Sequence, residues 1–146
     1  MSILPSFLVS ELTKASSTTA AAVATVQEIP REYGVDFKTG RLTGRIVEGI
    51  EAIKVWVWNC LHSERYRYAL YSWQYGVEYE QYIGETITDE YLQSDCQTET
   101  EEALLESPYI TGISDFEASI DDSGATLHLT FTVNTTLGDM EVDENV

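Results

Sequence analysis

GISDFEASIDDSGATLHLTFTVNT, Gly112 to Thr135, is the stretch that decides the fold. Apolar and polar residues alternate on both sides of the turn DDSG, the period of half-buried strands, and Gly124 can supply the positive φ that a tight hairpin turn needs. Leu127, Leu129, Phe131 and Val133 point one way; Thr126, His128, Thr130 and Thr132 point the other. Downstream, GDMEVD from Gly138 extends the pairing by a short third strand, so the chain is expected to end in a β-meander.

Working upstream, Pro108 stops a helix that Thr88 opens as N-cap, with Asp89 and Glu90 well placed in the first turn. Leu92, Cys96, Ala103 and Leu104 form its narrow buried stripe, while Glu99, Glu101, Glu102 and Glu106 crowd its C-terminal half with the wrong sign for the helix dipole. Before it, VEYEQYIG reads as a short helical turn capped by Gly84. RYRYALYSW, from Arg65, alternates and reads as a strand, with Tyr71 and Trp73 toward the core and Tyr66, Arg67 and Tyr68 more open. In IVEGIEAIKVWVWNCLHS, Ile46, Ile50, Ile53, Val57 and Cys60 or Leu61 recur at helical spacing, and Trp56 and Trp58 lie off that stripe. YGVDF and the turn at Gly40 precede it as strand and turn. The order of elements makes the chain α+β: a compact single domain with two main helices packed on a mixed or antiparallel sheet. Residues 28–146 form that domain and residues 1–27 an N-terminal arm, whose Ile3 and Phe7 are candidate anchors on a neighbouring subunit.

Charge is distributed unevenly. All eight Lys and Arg lie at or before Arg67, against seven acidic residues there, and the remaining 79 residues hold 18 Asp and Glu with no basic residue. One-sign surfaces repel themselves, so an external partner is expected to supply counter-charge. A net charge of −17 speaks against nucleic acid or an anionic membrane as that partner. Cys60 and Cys96 fall on apolar helix faces and are expected as buried thiols of a protein made in a reducing cytoplasm. No secretory signal and no run of about 18 apolar residues is evident.

Chemistry is not signalled. His62 and His128 are isolated, the cysteines lack metal-ligand spacing, and no phosphate-binding or nucleophile motif occurs, so no cofactor, no metal and no enzymatic activity are expected. The aromatic run from Tyr66 to Tyr82 is by default a core wall, yet Arg65, Tyr66, Arg67 and Tyr68 also have the composition of a binding hot spot.

The runs REYGVDFKTGRLTG, IVEGIEAIKVWVWNCLHSERYRYALYSWQYGVEYEQYIG and EALLESPYITGISDF occur in an order that resembles the small XkdS-type proteins of PBSX-like prophages. These sit within the lysozyme-like baseplate-wedge, or sheath-initiator, family of contractile phage tails. The resemblance implies a structural part of a baseplate, in a phage or a phage-tail-like bacteriocin, present in six copies, touching hub and wedge proteins and offering strands to the first tail-sheath subunits. ESPYI stands where the wider family has Glu-Pro-Arg-Ile, so Glu106, Pro108 and Ile110 match and Tyr109 replaces the arginine. The expected strand-accepting edge lies between Ile113 and Val142 and draws in Leu129, Phe131, Val133, Met140 and Val142; removal from Gly138 onward is expected to leave a folded domain. The rival reading is an acidic inhibitor whose carboxylates imitate a phosphate row.

Overall fold

The computed structural model describes residues 28–146, and the proposed arm with Ile3 and Phe7 lies outside the described residues. β1 (Arg31–Asp36) and β2 (Arg41–Glu48) form an antiparallel hairpin, followed by α1 (Ile50–Leu61). A loop and a 3₁₀ turn (Tyr79–Tyr82) lead to α2 (Asp89–Leu104). β3 (Ile110–Ile120), β4 (Leu127–Thr135) and β5 (Gly138–Asn145) close the chain as an antiparallel meander in that spatial order. The fold is α+β with two sheets rather than one, because among the described residues β1 and β2 pair only with each other.

The meander follows from its alternation. Leu127, Leu129, Phe131 and Val133 are at most 1% exposed on β4, and Phe131 meets Phe116 of β3 at 5.5 Å between ring centroids. Burying side chains of this size contributes about 1.5–3 kcal/mol each, and four in one central strand fix its register. Gly124 takes φ +71 in the hairpin turn, where Asp121 holds the backbone N–H groups of Ala125 and Thr126.

The helices are built from stripes. α1 buries Ala52, Ile53, Val55, Val57, Cys60 and Leu61, and α2 buries Leu92, Cys96, Thr100, Ala103 and Leu104. Thr88 caps α2 by accepting the Tyr91 N–H. Cys60 and Cys96 are free, buried thiols, and loss of solvent pushes them up to about 11 and about 12. Thr100, absent from the sequence-derived stripe, is fully buried because its hydroxyl bonds both the Cys96 carbonyl (2.6 Å) and the Tyr79 hydroxyl (2.5 Å). Glu99 has an internal use that outweighs the dipole: it accepts the Glu78 backbone N–H, the Tyr82 hydroxyl (3.0 Å) and the Gln81 amide (3.1 Å).

Three sequence expectations are corrected. The helix does not begin at Ile46: Ile46 and Val47 belong to β2, opposite Tyr33 and Glu32, and Gly49 at φ +68 turns the strand into the helix. RYRYALYSW is not a strand: it pairs with no neighbour among the described residues and folds instead as successive turns, Tyr71 N–H to Tyr68 C=O (3.2 Å) and Tyr75 N–H to Ser72 C=O (3.1 Å). Tyr71 and Trp73 consequently face solvent rather than the core. β5 is also more than an addition: it pairs with β4 at eight positions and buries Val142, so removing it would uncover the core.

Candidate partner-binding surfaces

The meander has two outer edges, and they are treated differently. On β3 the register shifts between Ser114 and Glu117, Asp115 takes φ +53, and the side chain of Gln93 from α2 docks on the strand. Its carbonyl accepts the Ala118 N–H (2.8 Å) and its amide donates to the Phe116 carbonyl. A primary amide set between those two groups imitates the peptide of a neighbouring strand, so β3 is bent and capped, two recognised ways of blunting an edge.

β5 has neither device. Its pairing with β4 runs unbroken from Thr135 opposite Gly138 to His128 opposite Asn145. Leu127 and Val146 exchange both backbone bonds (3.0 and 2.8 Å), so by antiparallel alternation Glu144, Val142 and Met140 bond to β4. Asp139, Glu141 and Asp143 therefore aim their N–H and C=O away from it, and among the described residues no backbone group meets them. Their side chains are exposed on the outer face, beside the His128 and Asn145 pair (2.8 Å).

A groove of about 340 Å³ accompanies that edge, lined by Phe37, Lys54, Val57 and Trp58 on one side and Glu141 to Glu144 on the other. Lys54 and Trp58 are four apart on α1, and Phe37 comes from the end of the first hairpin to meet Trp58 at 6.1 Å. Trp58 also stacks on His62 at 4.2 Å. Its indole N–H is closed off from solvent and meets no acceptor among the described residues. Glu144, turned inward at this groove, has its carboxyl pushed up by loss of solvent, with His62 and Lys54 partly offsetting the rise.

The second surface is the loop between Ser63 and Val77. Arg65 N–H to Val77 C=O and Val77 N–H to Ser63 C=O, both 3.0 Å, close it into an Ω-loop. Gly76 sits in the neck at φ +97, where a Cβ would lie 2.5 Å from the Ser63 carbonyl. Arg65 and Arg67 hold this shape: the first donates to the Gly76 carbonyl (3.2 Å), the second bonds both Glu80 oxygens (2.9 and 3.1 Å). The tip is apolar and open, with Leu70 91% and Trp73 79% exposed alongside Tyr66, Tyr68 and Tyr71. An exposed aromatic cluster has the composition of an interface anchor.

Tyr71 stacks on Tyr75 (4.5 Å), and Tyr75 meets Trp56 edge-on (5.6 Å). Trp56 in turn lines a groove of about 720 Å³ with Ile29, Pro30, Pro108 and Tyr109. Thus an aromatic chain brings the loop and the 106–110 turn, distant in sequence, onto one continuous side. In that turn Glu106 and Pro108 are exposed, Ile110 is buried, and the Tyr109 hydroxyl donates to the Glu28 carbonyl (3.2 Å). Trp56 and Trp58, two residues apart on α1, face different sides of the molecule, because that spacing turns a helix by about 200°.

Among the other candidates, Leu129, Phe131 and Val133 are interior, so their side chains support the β5 edge without reaching a partner. Val142 is buried and Met140 partly so, both facing the core. Gln93, Leu70 and the exposed cross-strand pair Tyr33 and Ile46 were not anticipated. An amide that caps a strand 23 or more positions away leaves no local pattern; the off-stripe position of Trp58 did mark the helix as two-sided. The acidic row imagined for a phosphate mimic is broken, since Glu99 is engaged internally. Among the described residues no cluster of His, Cys, Asp and Glu suits a metal, and no helix is long and apolar enough to cross a membrane.

Residues 31–138 match the family described as contractile injection system sheath initiator. The chain is 35% identical over 120 residues to phage-like element PBSX protein XkdS of Bacillus subtilis (strain 168), covering 82% of this chain and 84% of that protein. The chain belongs to the contractile injection system sheath initiator family and is a structural component of a contractile tail.

Proposed function

We propose that this protein joins hub and wedge in the baseplate, in six copies, and starts the sheath by letting strands of the first sheath subunits add to β5. The observation that carries the reading is the difference between the two edges: β3 is kinked and capped by Gln93, and β5 keeps an unbroken ladder with no outer backbone partner among the described residues. Strand addition uses such an edge, with main-chain bonds for affinity and alternate side chains for choice. The aromatic loop with Arg65, Tyr66, Arg67 and Tyr68, continuing through Trp56 to Glu106 and Pro108, is the side turned to hub and wedge. The arm with Ile3 and Phe7 is assigned to a neighbouring subunit. The protein acts in the assembled particle, without catalysis.

The test is Glu141→Pro. Glu141 directs its N–H away from β4, so proline removes an outward donor and blocks an incoming strand while the β4 ladder stays intact. The folded variant, with stability within about 1 kcal/mol of the parent, is expected to lose capture of purified sheath protein and to give particles without sheath. Normal contractile particles from it would refute the reading.

A further inference from the structure

We propose that the β5 edge and the groove beside it select their occupant by alternation: an extended segment with Lys or Arg at every second position and apolar side chains between. This rests on the reading that β5 accepts a foreign strand and goes further, by naming that strand's chemistry.

The two faces of the added position differ. A strand placed beside β5, about 4.8 Å away, forms its hydrogen-bonded pairs with Asp139, Glu141 and Asp143, whose backbone groups point outward. Residues directly opposite share a face, so the incoming side chains at those pairs stand beside three exposed carboxylates. Opposite charge is favoured there and like charge opposed. The intervening side chains turn the other way, toward the side of Met140, Val142 and Glu144, and cover Phe37 and Trp58. That floor is aromatic, with the Lys54 ammonium held 5.4 Å from the Phe37 ring centre and its stem along the groove. Apolar side chains there cover the aromatic surface of Phe37 and Trp58 and so favour association. β3 offers no such arrangement, since Gln93 occupies its edge.

The probe is a ten-residue, end-capped fluorescent peptide alternating lysine and valine, compared by anisotropy with an alternating glutamate and valine peptide and with a lysine block followed by a valine block. Proteins are the full chain, Glu141→Pro, and the triple variant Asp139→Lys, Glu141→Lys, Asp143→Lys, whose substitutions are all on exposed positions. The full chain is expected to bind the alternating lysine peptide at least about tenfold tighter than either comparison peptide, as three favourable cross-strand pairs allow. The triple variant is expected to reverse the preference toward glutamate, and Glu141→Pro to bind none. Equal binding of the block peptide, or binding unaffected by Glu141→Pro, overturns the proposal in favour of diffuse charge attraction. Equal binding of the lysine and glutamate alternators, lost in Glu141→Pro, overturns the selection rule and leaves strand addition standing. No binding of any peptide to the full chain also overturns it, and capture of sheath protein by the same sample then reports separately on strand addition.

Discussion

β3 and β5 flank the same central strand, bury residues in the same core and differ in what is done with their outer backbone. β3 carries a bulge, a positive φ at Asp115 and the Gln93 amide across Phe116 and Ala118. β5 keeps a regular ladder, lines its outer face with Asp139, Glu141 and Asp143, and its outward backbone groups meet no partner among the described residues. An exposed edge is an aggregation hazard that proteins blunt unless it has a use. Treating one edge and not the other is therefore informative. Carboxylates on β5 also discourage two copies of this protein from pairing edge to edge, since like charges opposite each other are unfavourable, while leaving a basic strand welcome.

The comparison breaks most completely if the shared support is removed. Phe131 is 1% exposed between both edges and packs on Phe116, so Phe131→Ala is expected to cost about 3–5 kcal/mol in urea unfolding and to abolish strand capture with it. Loss of that stability without loss of capture would mean that the edge does not depend on the core beneath it.

A smaller change makes the edges alike. Gln93→Leu removes both side-chain bonds to β3, leaving the Phe116 carbonyl and Ala118 N–H unpaired, for an expected loss of about 1–3 kcal/mol. The variant is also expected to self-associate in sedimentation velocity where the parent does not, because β3 becomes a second open edge. A monomeric variant would show that the bulge alone blunts β3.

The smallest effect is in pH. Burial raises the carboxyls of Glu32, Glu64 and Glu144, with Glu80 adding to the rise at Glu64. A group whose folded pKa exceeds its unfolded value binds protons more readily in the folded state, so stability grows as pH falls through the raised values. Asp36 and Asp121 act oppositely: hydrogen bonds depress them, and their contribution disappears as pH falls through those depressed values. The melting temperature is expected to rise as pH falls from neutral toward the free glutamate value of about 4.3, and to decline as pH drops further below the free aspartate value of about 3.9. Glu144 is the raised group on β5, so Glu144→Gln should flatten the upper part of that profile; an unchanged slope would place its origin in the first hairpin and the loop.

Much of the fold was legible because it follows from period. The alternation from Leu127 to Val133 needed no partner information to predict a half-buried strand, and Thr88, Pro108 and Gly124 act through local backbone chemistry. The same method misread RYRYALYSW, because alternation describes a strand only when another strand is there to bond it. It misread Ile46 because one spacing of four occurs across Gly49 by coincidence.

The α+β class, the meander, the acidic outer face and the family resemblance can all be read from residue type and short spacing. Which edge is capped follows from long-range packing: Gln93 lies on a different element from the strand it caps, and no periodicity connects them. Tertiary packing alone joins the aromatic loop to the 106–110 turn through Tyr75 and Trp56, and sets Phe37 and Trp58 beside β5. Those are long-range packing relations, fixed when helix and sheet bury their apolar sides together, and they are where the partner-binding surfaces are made.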